Sequence, residues 1–247
     1  MADLSMFESV CSYTDNVKNK EEKSLLNICL SSFLAGLFIS LGAFVSVNVG
    51  IDLPLGLSKF IGGIAFSSAL ILIVLTGLEL FTGNVLTTFS FLKNKFNWKS
   101  FLKLWVVVYI GNLIGCLFTV LLLNSSGLCN NLYEKFMAIA SMKCSLTFSE
   151  AFIRGIFCNM LVCMAVLVAN QAKTVQGKIF GIMVPITVFI ASGYEHSVAN
   201  MFFIPMGKAN IIQFLHNLIP VTLGNIIGAI LLVIILYYCN KTYFQKQ

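Results

Sequence analysis

The amino-acid sequence predicts an all-α membrane protein of six transmembrane helices, arranged as two inverted three-helix repeats with the second and fifth helices broken. Three observations carry that prediction. The 247 residues are 58% hydrophobic and 11% charged, with a mean hydropathy of +0.90, which is the composition of a polytopic membrane protein. Two long apolar runs are each interrupted by a Gly, a Glu and an Asn. Four pairs of motifs recur in the same order at nearly constant offset.

The pairs define the repeat. Thr76–Asn84 reads Thr-Gly-Leu-Glu-Leu-Phe-Thr-Gly-Asn, and Ser192–Asn200 reads Ser-Gly-Tyr-Glu-His-Ser-Val-Ala-Asn. Glu79 and Glu195 are 116 residues apart, as are Asn84 and Asn200. Phe33-Leu-Ala-Gly36-Leu-Phe38 matches Phe152-Ile-Arg-Gly155-Ile-Phe157 at offset 119, and Gly111-Asn-Leu-Ile-Gly115 matches Gly224-Asn-Ile-Ile-Gly228 at offset 113. This is an internal duplication.

Taken in order, residues 1–24 are polar, contain acids and read as a surface segment rather than a cleavable leader. Leu25–Val47 is span one, and a loop with Asp52, Pro54 and Lys59 follows. Phe60–Leu92 runs 33 residues with Glu79 as its only charge. At about 1.5 Å per residue that is too long for one crossing of a ~30 Å core. It reads as a helix to about Gly77, a non-helical loop at 79–84 and a short helix after it. Phe101–Leu123 is span three, with a short surface helix near Leu132–Ala140. Glu150–Asn170 is span four, 179–204 the broken span five and Phe214–Cys239 span six. The domains expected are a cytoplasmic segment 1–24, a pore domain 25–240 with repeats at about 25–123 and 150–239, and a cytoplasmic tail 241–247.

Charge sets orientation. Six spans put both termini on one side, and the termini with loops 93–103 and 173–178 hold eleven of the 16 basic residues. The positive-inside rule makes that side cytoplasmic. Each repeat has an odd number of spans, so the halves are inverted, and such folds place their site near the midplane at the broken helices.

Ionisable groups at membrane depth point to function. His196 is the sharpest: imidazole can donate, accept or exchange a proton near neutral pH, against the plainer role of a satisfied core histidine. His216, at the start of span six, reads as interfacial. Glu79 and Glu195 sit where second half-helices should begin, where free backbone N–H groups stabilise a carboxylate, and they read as helix-break support. Asn84 and Asn200 read as side chains that satisfy backbone groups there. Lys143 and Arg154 suggest an electropositive funnel for an anion, with a solvated loop as the plainer reading of Lys143. Thr82 offers a hydroxyl opposite His196. The cysteines read as small buried hydrophobes in reduced form, and Asn124-Ser-Ser is a sequon on the expected outer face.

Leu80-Phe81-Thr82 after Glu79, Arg154-Gly155 with Cys158-Asn159-x-Leu-Val-Cys163, Ala191–Met201 and Asn217-Leu-Ile-Pro-Val-Thr-Leu-Gly-Asn225 resemble the formate/nitrite transporter family. The resemblance covers nearly the whole chain from about Leu25. It implies an aquaporin-like fold and a homopentamer in which each protomer has its own pore. It further implies that Thr82 lies on the loop interrupting span two and faces His196. Leu70 and Leu80, with His196, would form the constriction on the cytoplasmic side, and Phe66, Val162 and Phe189 the outer one. Asn159 and Lys143 would complete a polar track. The loop reads Phe-Thr-Gly-Asn here, where formate channels tend to carry Thr-Ser-Thr.

The function expected is a proton-linked channel or transporter for small weak-acid anions, formate foremost, with nitrite, hydrosulfide, acetate and lactate as further candidates. Its partners would be the anion, a proton and the lipid bilayer of a bacterial inner or microbial plasma membrane, with no cofactor, metal or nucleic acid. A neutral-solute channel shares six spans and the inverted repeat but would carry Asn-Pro-Ala pairs, which are missing. A haem enzyme would need paired axial ligands, and the chain has two histidines.

Overall fold

The computed structural model describes residues 5–6, 8–10, 12–13, 20, 23–92 and 97–239. Most of 1–24, Lys93, Lys95 and the tail 241–247 lie outside the described residues. Among the described residues all regular structure is helical. The elements are α1 Leu25–Asn48, α2 Leu55–Thr76, α3 Phe81–Asn84, a 3₁₀ turn Val85–Thr87, α4 Thr88–Leu92, α5 Trp98–Ser126, α6 Tyr133–Cys144, α7 Phe148–Gln171, α8 Val175–Ser192, α9 Ser197–Met206 and α10 Ile211–Cys239. Six of these, α1, α2, α5, α7, α8 and α10, are long and apolar enough to cross a membrane.

Local chemistry explains where the helices start. Ser24, Asn97, Thr147 and Thr174 each accept a backbone N–H with their side chains as N-caps, and Thr147 with Glu150 closes a reciprocal capping box. Leu55 follows Pro54, whose fixed φ suits a helix entry. This start lies before the Phe60 expected from sequence, so Lys59 belongs to α2 and not to a loop. Spans three, four and six also begin two or three residues earlier than expected, because the polar residues Lys99 and Ser100, Ser149, and Gln213 interrupt the apolar run just inside their starts.

The inverted repeat is visible in the packing. α1 packs along α5, and α7 packs along α10 in the same manner. Glycines make both crossings close: a Cβ at Gly36 would strike the backbone of Asn112, and one at Gly224 would strike the backbone of Phe152. The two broken helices, α2 and α8, pack on each other between these pairs.

Both breaks have the same form. α2 ends on Gly77 at φ 70° and α8 on Gly193 at φ 73°. Three non-helical residues follow, and helix resumes after the extended Leu80 (φ −106°, ψ 128°) and His196 (φ −113°, ψ 118°). The first break is therefore 77–80 rather than the loop expected at 79–84, and Thr82 and Asn84 stand on the new helix. The pseudo-symmetric mate of His196 is Leu80.

The halves differ beyond the break. The second continues as the ten-residue α9, whereas the first splinters into α3, a 3₁₀ turn and α4. Hydroxyls account for the splintering: Thr87 donates to the Asn84 carbonyl, Thr88 to that of Val85, and the Trp105 indole also donates to the Asn84 carbonyl. These bonds compete with the helical ladder. The outer faces are apolar, with Leu26, Leu55, Leu121 and Ile212 all well exposed, as a surface that meets lipid or neighbouring subunits requires.

A Cβ added at Gly77 or Gly193 meets no atom within 4 Å, so only backbone strain opposes substitution. Gly77→Ala and Gly193→Ala are each expected to cost ~1–2 kcal/mol, while Gly56→Ala, equally free of neighbours but inside a helix, costs nothing. Thermal midpoints of the detergent-solubilised protein check this; equal midpoints for all three variants would contradict it.

Candidate functional site

The two breaks meet in the middle of the chain's fold, and each needs its freed backbone groups satisfied. One asparagine does this for each half. Asn112 on α5 accepts from the Phe81 N–H at 2.9 Å and donates to the carbonyls of Ser32 (2.8 Å) and Glu79 (3.0 Å). Asn225 on α10 accepts from the Ser197 N–H at 2.8 Å and donates to Gly155 (2.8 Å) and Glu195 (3.0 Å). Both are fully buried. Sequence reading passed over these two residues as site elements, although they are paired at the repeat offset inside the Gly-Asn steps.

Asn84 and Asn200, expected to serve the backbone, instead serve the carboxylates. Asn84 Nδ2 donates to Glu79 at 2.8 Å and Asn200 Nδ2 to Glu195 at 2.6 Å. Neither carboxylate rests on free helix N–H groups as expected, because cations reach both. Lys143 Nζ lies 3.0 and 3.2 Å from the two Glu195 oxygens. Lys20 and Lys23 donate to separate Glu79 oxygens at 2.8 and 2.6 Å. Glu79 is 1% exposed and Glu195 2%, so pairing is what makes these charges tolerable at depth.

Lys143 is thus buried rather than solvated, and its charge is spent on Glu195 rather than held free for an anion. α6 is tied down around it: Asn217 Nδ2 donates to the Lys143 carbonyl at 2.8 Å while its Oδ1 accepts from Asn200. Arg154 is half-buried, and its backbone carbonyl accepts from the Glu195 N–H at 3.3 Å. His216 is exposed, remote from the breaks in character.

His196 stands where α9 begins. Its Nδ1 accepts the Ala199 N–H at 3.1 Å as the helix N-cap, and its Nε2 lies 2.9 Å from Thr82 Oγ1. An acceptor Nδ1 places the proton of the neutral ring on Nε2. Nε2 then donates to Thr82, and the Thr82 hydroxyl hydrogen is left to point elsewhere. A second proton on the ring would displace the cap. His196 is 3% exposed and Thr82 0%.

Apolar side chains close in on both sides of this pair. Phe189 stacks at 5.9 Å from the His196 ring and meets Phe66 edge-on at 5.6 Å, and Val162 is buried with them. Leu70 and Leu80, each 3% exposed, line a cavity of about 320 Å³ shared with Tyr13, Lys20, Lys23 and Lys178. Tyr13 donates to the Gly83 carbonyl at 3.2 Å, and Ser9 to that of Leu167 at 2.8 Å. The described residues of the N-terminal segment therefore form part of the site, which polarity alone did not reveal. Asn159 on α7 reaches between the halves, with Nδ2 donating to the carbonyls of Thr82 (3.2 Å) and Asn225 (2.7 Å). No cluster of metal-ligating side chains occurs among the described residues.

Breaking a buried ion pair costs more than deleting it. Lys143→Met and Glu195→Gln are each expected to destabilise the protein by ~3–5 kcal/mol, and the double variant by much less. Thermal midpoints of the three variants test this cycle; additive losses would contradict it.

Comparison with known proteins places this geometry. A sequence model described as formate/nitrite transporter matches residues 7–239. "Formate channel FocA" of Escherichia coli K12 is 36% identical over 250 residues, covering 89% of this chain and 88% of that protein. A solved "pentameric formate channel with formate bound" superposes with a TM-score of 0.80 at 34% identity, covering 90% of this chain and 99% of its own. An "FNT family ion channel" gives 0.84 at 26% identity, covering 95% and 98%.

Proposed function

This chain belongs to the formate/nitrite transporter family, whose members are membrane channels and transporters rather than enzymes, and we propose that it carries small weak-acid anions, formate foremost, together with a proton. One observation supports this most: the His196–Thr82 pair where the breaks meet is buried and hydrogen-bonded, with buried apolar side chains around it. A bare anion there loses its hydration without gaining a counter-charge, at a cost of several kcal/mol even after relaxation. The neutral acid does not.

The chain's own residues then divide the work. The lysine-bearing mouth gathers the anion, Lys178 foremost, since it has no acidic partner among the described residues. As water is stripped away the anion's affinity for a proton rises, and it takes one from bulk water. We assign the donor role to water rather than to His196, because the His196 Nδ1 lone pair is committed to the cap of α9. Thr82, its hydroxyl oriented by the Nε2–H of His196, holds the acid by a hydrogen bond as it passes. Phe66, Val162 and Phe189 on one side and Leu70 and Leu80 on the other would exclude water and ions.

By the likeness to the pentameric channel, the chain assembles as a homopentamer, with its exposed leucines and isoleucines divided between lipid and neighbours. By its lysine distribution it sits in a cell membrane with both termini in the cytoplasm.

Formate uptake into proteoliposomes is expected to rise steadily as external pH falls from 8 to 5. Uptake indifferent to pH in the wild type would defeat the proposal. His196→Phe keeps the ring's bulk but loses its hydrogen bonds. Its uptake is expected to fall by about tenfold, the worth of one net hydrogen bond of ~1.4 kcal/mol.

A further inference from the structure

One face of α5 carries three side chains that act on the first break. Trp105, Tyr109 and Asn112 stand four and three residues apart, which puts them on the same side of the helix. Asn112 accepts the Phe81 N–H at 2.9 Å. The Phe81 ring meets Tyr109 edge-on at 4.8 Å and Trp105 edge-on at 5.9 Å. The Trp105 indole N–H is shared between the Asn84 carbonyl and Thr87 Oγ1, both at 3.2 Å. Tyr109 is held in turn, with its hydroxyl 2.8 Å from Thr222 Oγ1 on α10. Tyr109 and Thr222 are matched positions at the 113-residue repeat offset, so this bond joins the two halves at equivalent points.

The second half has no such aromatic wall. The mates of Trp105 and Tyr109 there are Leu218 and Thr222, and the mate of Phe81 is Ser197. Asn225 clasps the second break without them, and helix runs on from it as the ten-residue α9. A break therefore stands without rings behind it, and the wall on α5 serves something else. Leu80 and Thr82 flank Phe81 in the chain, Leu80 lining the cavity and Thr82 Oγ1 lying 2.9 Å from His196 Nε2. Phe81 turns to α5 and Thr82 to His196. A Phe81 ring that settled deeper against α5 would draw Thr82 away from the imidazole.

We infer that Tyr109, backed by Trp105, is a positioning residue: it stops Phe81 from sinking toward α5, fixes how closely Thr82 approaches His196, and so limits the size of the acid that passes. The inference rests on the reading of this site as the route of a weak acid and adds what sets its width. Tyr109 acts through Phe81, which is 3% exposed. Close-packed interiors transmit small displacements rather than absorb them, so a rigid ring pinned at its far end to Thr222 sets a distance.

Uptake of formate and of the larger lactate into proteoliposomes, each corrected for protein-free vesicles, tests this. Tyr109→Leu takes away both the ring and the bond to Thr222. Its lactate-to-formate uptake ratio is expected to rise about fivefold, on the scale of what a methylene-sized misfit is worth to discrimination. Leu218→Ala, on the matching face of α10, is expected to keep the wild-type ratio. A merely structural role lowers the amount of assembled protein and both uptakes together, and leaves the ratio alone. A ratio unchanged or lowered in assembled Tyr109→Leu overturns the inference, as does an equal rise in Leu218→Ala. Should Tyr109→Leu fail to assemble, Tyr109→Phe decides. It keeps the ring and loses only the bond to Thr222, and its ratio is expected to rise about twofold; a wild-type ratio there overturns the inference. The two claims separate: pH-indifferent formate uptake in the wild type removes the transporter reading, whereas pH-driven uptake with an unmoved ratio removes only the role of Tyr109.

Discussion

A helix cannot stop at membrane depth without abandoning main-chain donors and acceptors to hydrocarbon, and everything in this structure follows from how two such stops are tolerated. Each unpaired group would cost several kcal/mol. Asn112 and Asn225 remove that cost with a three-bond clasp apiece, accepting from the first N–H of the new helix and donating to one carbonyl within the gap and one on the neighbouring span. Their amides fit because one side chain offers an acceptor and two donors. Gly77 and Gly193 supply the turn, and the glycine-lined crossings of α1 with α5 and of α7 with α10 bring the clasps close enough to act.

Charge is the second layer, and it is built to cancel. Glu79 and Glu195 are each held by an asparagine five residues on and by lysines from outside the span. The Glu195 cluster is closed, one lysine on one glutamate. The other carries two lysines on Glu79 with Lys178 on the same cavity. That excess of positive charge suits a mouth that meets anions, while the central His196–Thr82 pair carries no charge that would trap one. The asymmetry of the halves has the same logic. His196 replaces what is Leu80 in the first repeat, so the imidazole of the centre comes from the second half and its hydroxyl partner Thr82 from the first.

Much of this was legible in the residues. The 116-residue offset of the two Gly-x-Glu stretches fixed the repeat, and the charge inside a 33-residue apolar run required a break. The exact extent of the first break was not legible, because Phe81-Thr82-Gly83-Asn84 has poor helix propensity and only the Asn112 clasp makes it a helical turn. Burial of Lys143 was hidden for a similar reason: its partner Glu195 is 52 residues away, and pairing at that range leaves no periodic trace. Lys20 and Lys23 read as topology markers because nothing local distinguishes a lysine at a membrane face from one that reaches back to a buried glutamate. Asn112 and Asn225 stand at matched positions within paired Gly-Asn steps, but nothing local separates an asparagine that clasps a distant break from one that merely faces a neighbouring helix.

The central claim is that the solute crosses the break without net charge. Formate uptake into proteoliposomes under an imposed potassium diffusion potential tests it most directly. Uptake accompanied by one proton per formate and unchanged by voltage of either sign is the result the account predicts. Uptake that follows the voltage, with formate carrying the current alone, would contradict it.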